Sequence, residues 1–189
     1  MWHEIWEKAT GKGLSAYLPY GLIPMIMALI LITQWGRRTG AELLLWEMLA
    51  AFGGVAAVGD VKERIVPNSL IKVMLMAWVL VIVPQLFVNI DMGIRLLILS
   101  FVGTIVCAIV MLVVYFASRK GLGGGDVKFT TVAGLYLGFE CVFAALLYGS
   151  VFSAITGLIL MALKKIGPRD QLPLIPFLYA GMILAILVR

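Results

Sequence analysis

Two aspartates in an apolar chain carry the residue types that could do chemistry. Asp60 closes a hydrophobic run in Gly59-Asp60-Val61-Lys62-Glu63-Arg64-Ile65-Val66-Pro67-Asn68. Asp126 opens another in Gly121-Leu122-Gly123-Gly124-Gly125-Asp126-Val127-Lys128. They are 66 positions apart, yet both fall at the edge of an apolar run. Two carboxyls held close together do not both ionise easily, so they share one proton. The ionised member takes a proton from water as that water attacks a peptide carbonyl. The protonated member polarises the carbonyl oxygen and then helps the amine leave. Such a pair hydrolyses peptides without a metal or a covalent intermediate.

The glycines before Asp126 suit a substrate chain. Gly121, Gly123, Gly124 and Gly125 are poor helix formers. They permit unusual dihedrals and close backbone approach. An extended peptide laid along this loop gains backbone hydrogen bonds. A flexible hinge is the plainer reading. A phosphate cradle is disfavoured, because the G-x-x-x-x-G-K-[ST] spacing is missing. Plainer readings exist for the neighbours too. Asp60 serves equally as a solvated acid at a helix end, and Glu63 is its nearest rival. Pro67-Asn68 reads as the start of the next helix, with Asn68 or Ser69 as N-cap. Lys62, Arg64, Lys120 and Lys128 are explained by anionic lipid and topology. Lys128 stands two positions from Asp126, nearly opposite on a helix. Glu47, 13 residues before Asp60, lies roughly 20 Å away along a helix and packs toward other spans or a watery pocket.

The elements that position these acids follow from composition. Of 189 residues, 62% are hydrophobic and 13% charged, with a mean hydropathy of +1.07. There are too few polar residues to cover a soluble protein. This excludes a cytosolic enzyme, a disordered protein and a secreted disulfide scaffold. The net charge of +5 fits basic loops at a membrane better than nucleic acid. His3 has no metal-ligand partners, and Cys107 and Cys141 read as buried small hydrophobes. No metal or cofactor is expected.

Seven apolar runs are legible: Leu18–Trp35, Leu43–Gly59, Leu70–Val88, Ile94–Ala117, Val127–Phe139, Val142–Leu163 and Leu172–Val188. Backbone groups at membrane depth must pair within a segment, so these are helices. Residues 1–17 place Trp2, Ile5, Trp6 and Ala9 on one face, as in an interfacial amphipathic helix. Residues 18–189 form one transmembrane domain. Gly134 and Gly138, and likewise Gly149, Ser153 and Gly157, read as small-residue packing stripes. The side bearing the N-terminus carries ten bases: Lys8, Lys12, Lys62, Arg64, Arg119, Lys120, Lys128, Lys164, Lys165 and Arg169. The other side carries four: Arg37, Arg38, Arg95 and Arg189. The positive-inside rule puts the N-terminus and both aspartates at the cytoplasmic face. Glu42, Asp91 and Glu140 then lie at the outer face.

Asp60 followed by Pro67-Asn68, with Gly121-x-Gly123-x-Gly125-Asp126-x-Lys128 opening a later span, resembles the type IV prepilin peptidases. These are GxGD intramembrane aspartyl proteases. Leu172-Pro173-Leu174-Ile175-Pro176-Phe177 is similar to the Pro-rich start of that family's final helix. The resemblance runs from about Ala50 onward. It implies an all-α polytopic fold, with a six-helix peptidase core plus an extra first span. It implies Asp60 and Asp126 as catalytic residues. Gly121, Gly123, Gly125, Pro67, Asn68 and Lys128 would then shape the loop or bind substrate. The partners implied are prepilin or pseudopilin precursors in the cell membrane, whose basic leaders are cut at the cytoplasmic face. Larger members carry a domain with paired cysteines and methylate the new N-terminus. This chain has no CxxC pair and resembles the small members. Two alternatives stay open: a GxGD protease of another signal-peptide substrate, and a proton or ion transporter using Asp60, Asp126 and Glu47.

Overall fold

The computed structural model describes residues 18–117, 123–165, 167 and 172–189. The amphipathic helix expected over residues 1–17 and the expected site residue Gly121 lie outside them. Regular structure among the described residues is helical throughout. The elements are α1 Leu18–Gln34, α2 Gly40–Glu63, α3 Asn68–Val88, α4 Ile90–Ala117, α5 Gly124–Ala162 and α6 Ile175–Val188. The helices α2 to α5 are long and apolar enough to cross a membrane, and α1 and α6 are shorter apolar helices. The fold is all-α and polytopic.

Local chemistry sets the helix ends. Thr39 opens α2 with a capping box, its hydroxyl accepting from the Glu42 N–H at 3.3 Å. The Glu42 carboxylate accepts from the Thr39 N–H at 3.1 Å. Arg64 closes α2 in the left-handed region, at φ 54° and ψ 32°. Asn89 accepts from the Met92 N–H at 3.1 Å and so starts α4.

The expected fifth and sixth runs both belong to α5. The helix breaks at Gly138, with φ 64° and ψ 171°, a conformation that strains any residue with a Cβ. Here the chain doubles back. Asp126 in the first arm and Gly157 in the second both lie toward the end that holds Leu172. Glu140, just past the break, lies at the other end beside Arg38, Arg95 and Arg189. Gly138 was expected only to pack, and its larger role is this reversal. Gly134 does pack closely: a Cβ there would stand 2.7 Å from the Gly103 carbonyl oxygen of α4. The second arm meets α6 where the Gly149 and Gly181 backbones touch. Close backbone contact of this kind supplies dispersion attraction in lipid, where the hydrophobic effect between helices is absent.

The interior is apolar, with Ile30, Leu49, Met74, Phe129, Val142 and Ile186 fully buried. Its polar groups brace helix to helix. The Tyr179 hydroxyl donates to the Ala50 carbonyl at 2.8 Å, and the Tyr136 hydroxyl donates to that of Met74. The Gln34 side chain donates to the Ile186 carbonyl at 2.8 Å. The outside is apolar as well: Leu80, Phe87 and Leu158 are each more than half exposed and suit a lipid surround.

Candidate active site

The last turn of α2 delivers Asp60, whose residue exposure is only 4%. Its carboxylate Oδ2 accepts the Ile175 backbone N–H at 3.1 Å. That amide belongs to the first turn of α6, where N–H groups have no partner within the helix. The positive end of the helix favours an anion. Pro176 fits the same turn, because a missing N–H costs nothing there. The Arg64 guanidinium also acts on Asp60 through its charge.

The first turn of α5 delivers Asp126. Gly123 is the N-cap, in an extended conformation at φ −69° and ψ 138°. The Asp126 N–H donates to the Gly123 carbonyl at 3.1 Å. A Cβ on Gly123 would stand 3.2 Å from Asp126 Oδ2 and crowd the carboxyl. Gly125 lies against Val66, at ordinary contact distance. Of the glycines that permit unusual dihedrals, the three described ones do not use them: Gly123 is extended and Gly124 and Gly125 are helical. What matters is their bareness beside the acid.

Both aspartates line one cavity of about 410 Å³. Its wall continues through Arg64, Ile65, Val66, Asn68, Gly123, Gly124, Gly125, Lys128 and Leu172–Leu174. The charge of Asp60 acts on Asp126 across it. Chain ends from α2, α3, α5 and α6 thus converge on two carboxyls with room for a peptide and water. Glu63, the rival to Asp60, is exposed and outside the lining. Glu47 is buried within the bundle, and neither of its carboxyl oxygens has a hydrogen-bond partner.

Two local readings need correction. Lys128 was expected to face away from Asp126. Its long side chain instead reaches round to the cavity, and Nζ donates to Asn68 Oδ1 at 3.3 Å. Asn68 or Ser69 was read as the N-cap of α3. The cap of α3 is Pro67, with no side-chain bond, and Asn68 is free to accept from Lys128. Pro67 itself is outside the lining and acts by starting α3. Reading by residue type missed Arg64, Leu172–Leu174 and the Ile175 N–H as parts of this site. The signal for the last was the Pro-rich stretch ahead of the final apolar run, which marks a helix start. Among the described residues, no three His, Cys, Asp or Glu side chains gather as a metal would require.

Comparison with known proteins adds an independent line. The profile of the type IV leader peptidase family matches residues 47–158. This stretch contains Asp60, the glycines and Asp126. A prepilin leader peptidase/N-methyltransferase of Bacillus subtilis (strain 168) is 34% identical over 70 residues. That alignment covers 37% of this chain and 28% of the relative's length. No solved structure matches the chain. With more than half of its length matched by the family profile, the chain belongs to the type IV leader peptidase family.

Proposed function

We propose that this protein is a membrane-embedded aspartic endopeptidase that removes the basic leader from prepilin- or pseudopilin-like precursors. The observation that carries the reading is the meeting of Asp60 and Asp126, from separate helices, in one cavity at one end of the bundle. The scissile carbonyl sits between the two carboxyls. The ionised carboxyl takes a proton from the attacking water, and the protonated one gives its proton toward the carbonyl oxygen. The tetrahedral species collapses as the amine accepts a proton and departs. The pair ends ready for a second turnover. Gly123 keeps space beside Asp126, and Gly125 lets α5 approach Val66. The Lys128–Asn68 hydrogen bond ties the head of α5 to the head of α3. The basic loops support a cytoplasmic placement of the cavity in the cell membrane.

The test is co-expression with a prepilin-like precursor, followed by mass measurement of the precursor's N-terminus. Leader loss is expected with the native chain and is absent with Asp60→Asn or Asp126→Asn. Retained processing in either single variant would sink the assignment. The same spectrum shows whether the new N-terminus gains a methyl group.

A further inference from the structure

A second cavity, of about 190 Å³, lies between α1, α2 and α6. Its lining is Leu22, Ile23 and Ile26 from α1, Gly54, Ala57, Val58 and Val61 from α2, and Pro176 and Tyr179 from α6. Apart from the Tyr179 hydroxyl, which is engaged by Ala50, the side chains are apolar. The groove lies beside the aspartate site, and the two linings adjoin along the chain. Val61 follows Asp60 in sequence, and Pro176 follows Ile175, whose N–H holds Asp60. Leu174, one residue earlier, lines the aspartate cavity. Leu22 is 53% exposed, so the groove opens sideways to the lipid. Gly54 lets α1 settle against α2, since a Cβ there would stand 2.6 Å from the Ile23 side chain.

We propose that this groove docks the apolar, membrane-embedded helix of the protein substrate, on the side of the scissile bond that stays in the bilayer. The inference rests on the peptidase reading above and adds where the substrate lies. Gly54 and Val61 are seven positions apart, or roughly 10 Å of helix, about two turns of a ligand helix. The volume is too small for a whole helix and suits side chains projecting from one, as when an apolar helix face settles in a groove. A helix seated there reaches the boundary beside Asp60, where its last turn must unwind for an extended peptide to enter the aspartate cavity. A polar or soluble substrate finds no partner in this lining. An acyl chain fits its chemistry but has no reason to lead toward two carboxyls.

The test places a photo-crosslinking residue at Leu22 or Ile26 of the full chain carrying Asp126→Asn, in membranes holding a tagged prepilin-like precursor. Matched probes at Ile98 and Val113, exposed on α4, serve as comparison. The expected result is a precursor adduct from α1 well above that from α4, mapping to the precursor's apolar segment. Adducts with lipid alone, or equal precursor adducts from both faces, overturn the proposal. In a second measurement Leu22→Trp, at an exposed and tolerant position, narrows the mouth. It is expected to raise KM for the precursor roughly tenfold while kcat stays within about twofold. An unchanged KM contradicts the docking. Precursor cleavage by the native chain is followed in parallel. Cleavage without α1 adducts removes the groove and leaves the peptidase reading intact, whereas no cleavage removes both.

Discussion

The two ends of the bundle treat their carboxylates in opposite ways. At one end Glu140 is surrounded by Arg38, Arg95 and Arg189, and Arg38 is itself stacked on Trp46 at 5.2 Å. The cavity there is about 30 Å³, space for little more than water. At the other end Asp60 and Asp126 share a cavity of about 410 Å³. Their fixed partners are few, chiefly the Ile175 N–H and the backbone of the Gly123 turn. A carboxylate saturated by guanidinium groups is a tether between the α1–α2 connection, α4, α5 and the end of α6. A carboxylate facing another, with open space between, is available to take or give a proton. The same acidic side-chain type therefore meets opposite surroundings at the two ends, closed around Glu140 and open around the aspartates.

The largest expected contrast is in activity. Asp60→Asn or Asp126→Asn should lower leader removal by at least about a thousandfold, because both proton-transfer roles fail together. Glu140→Gln should leave the cleavage rate within about threefold, since it lies at the far end. Timed mass spectra of precursor and product measure both. A loss of equal size at Glu140 would break the contrast.

Next comes the crowding at Gly123. Gly123→Val should cut kcat roughly tenfold or more by pushing Asp126 from its position. Gly124→Ala, where a Cβ meets nothing within 4 Å, should stay within about twofold. Equal losses at the two glycines would mean that loop flexibility, rather than space beside the acid, is what counts. Removing the amine with Lys128→Met should lower kcat/KM about threefold to tenfold through lost positioning of Asn68, with less effect for Lys128→Arg. Steady-state kinetics on one precursor separates these cases. The smallest effect is on stability. Glu140→Gln should cost about 1–2 kcal/mol, its pairs being only partly buried, and should lower the thermal midpoint in detergent. An unchanged midpoint would show that the arginine cluster holds without its anion.

Much of this was legible because charges are scarce. In a chain so apolar, Asp60 and Asp126 stand out at the ends of their runs, and alternation of basic loops puts them on one side. Glu63 against Asp60 was harder, because three residues at a helix end decide it. Only packing shows that Asp60 turns in while Glu63 turns out. Backbone partners leave little mark in residue identity, so the Ile175 N–H on Asp60 was invisible apart from the prolines that announce a helix start. Lys128 misled through its length. Its Cα faces away from Asp126, but a four-carbon stem carries the amine back to Asn68. Gly138 misled through its spacing from Gly134. A GxxxG pattern looks the same whether the second glycine packs a helix or breaks it, and only φ distinguishes them.

The central claim is that Asp60 and Asp126 act as one hydrolytic unit. Its most direct test is a double-mutant comparison on a purified, membrane-reconstituted chain with one defined precursor. Cleavage rates are measured for the native protein, Asp60→Asn, Asp126→Asn and the double variant. The account predicts that each single variant falls to the same residual rate as the double, because removing either partner disables the pair. Effects that multiply, or a single variant that keeps substantial cleavage, would contradict it.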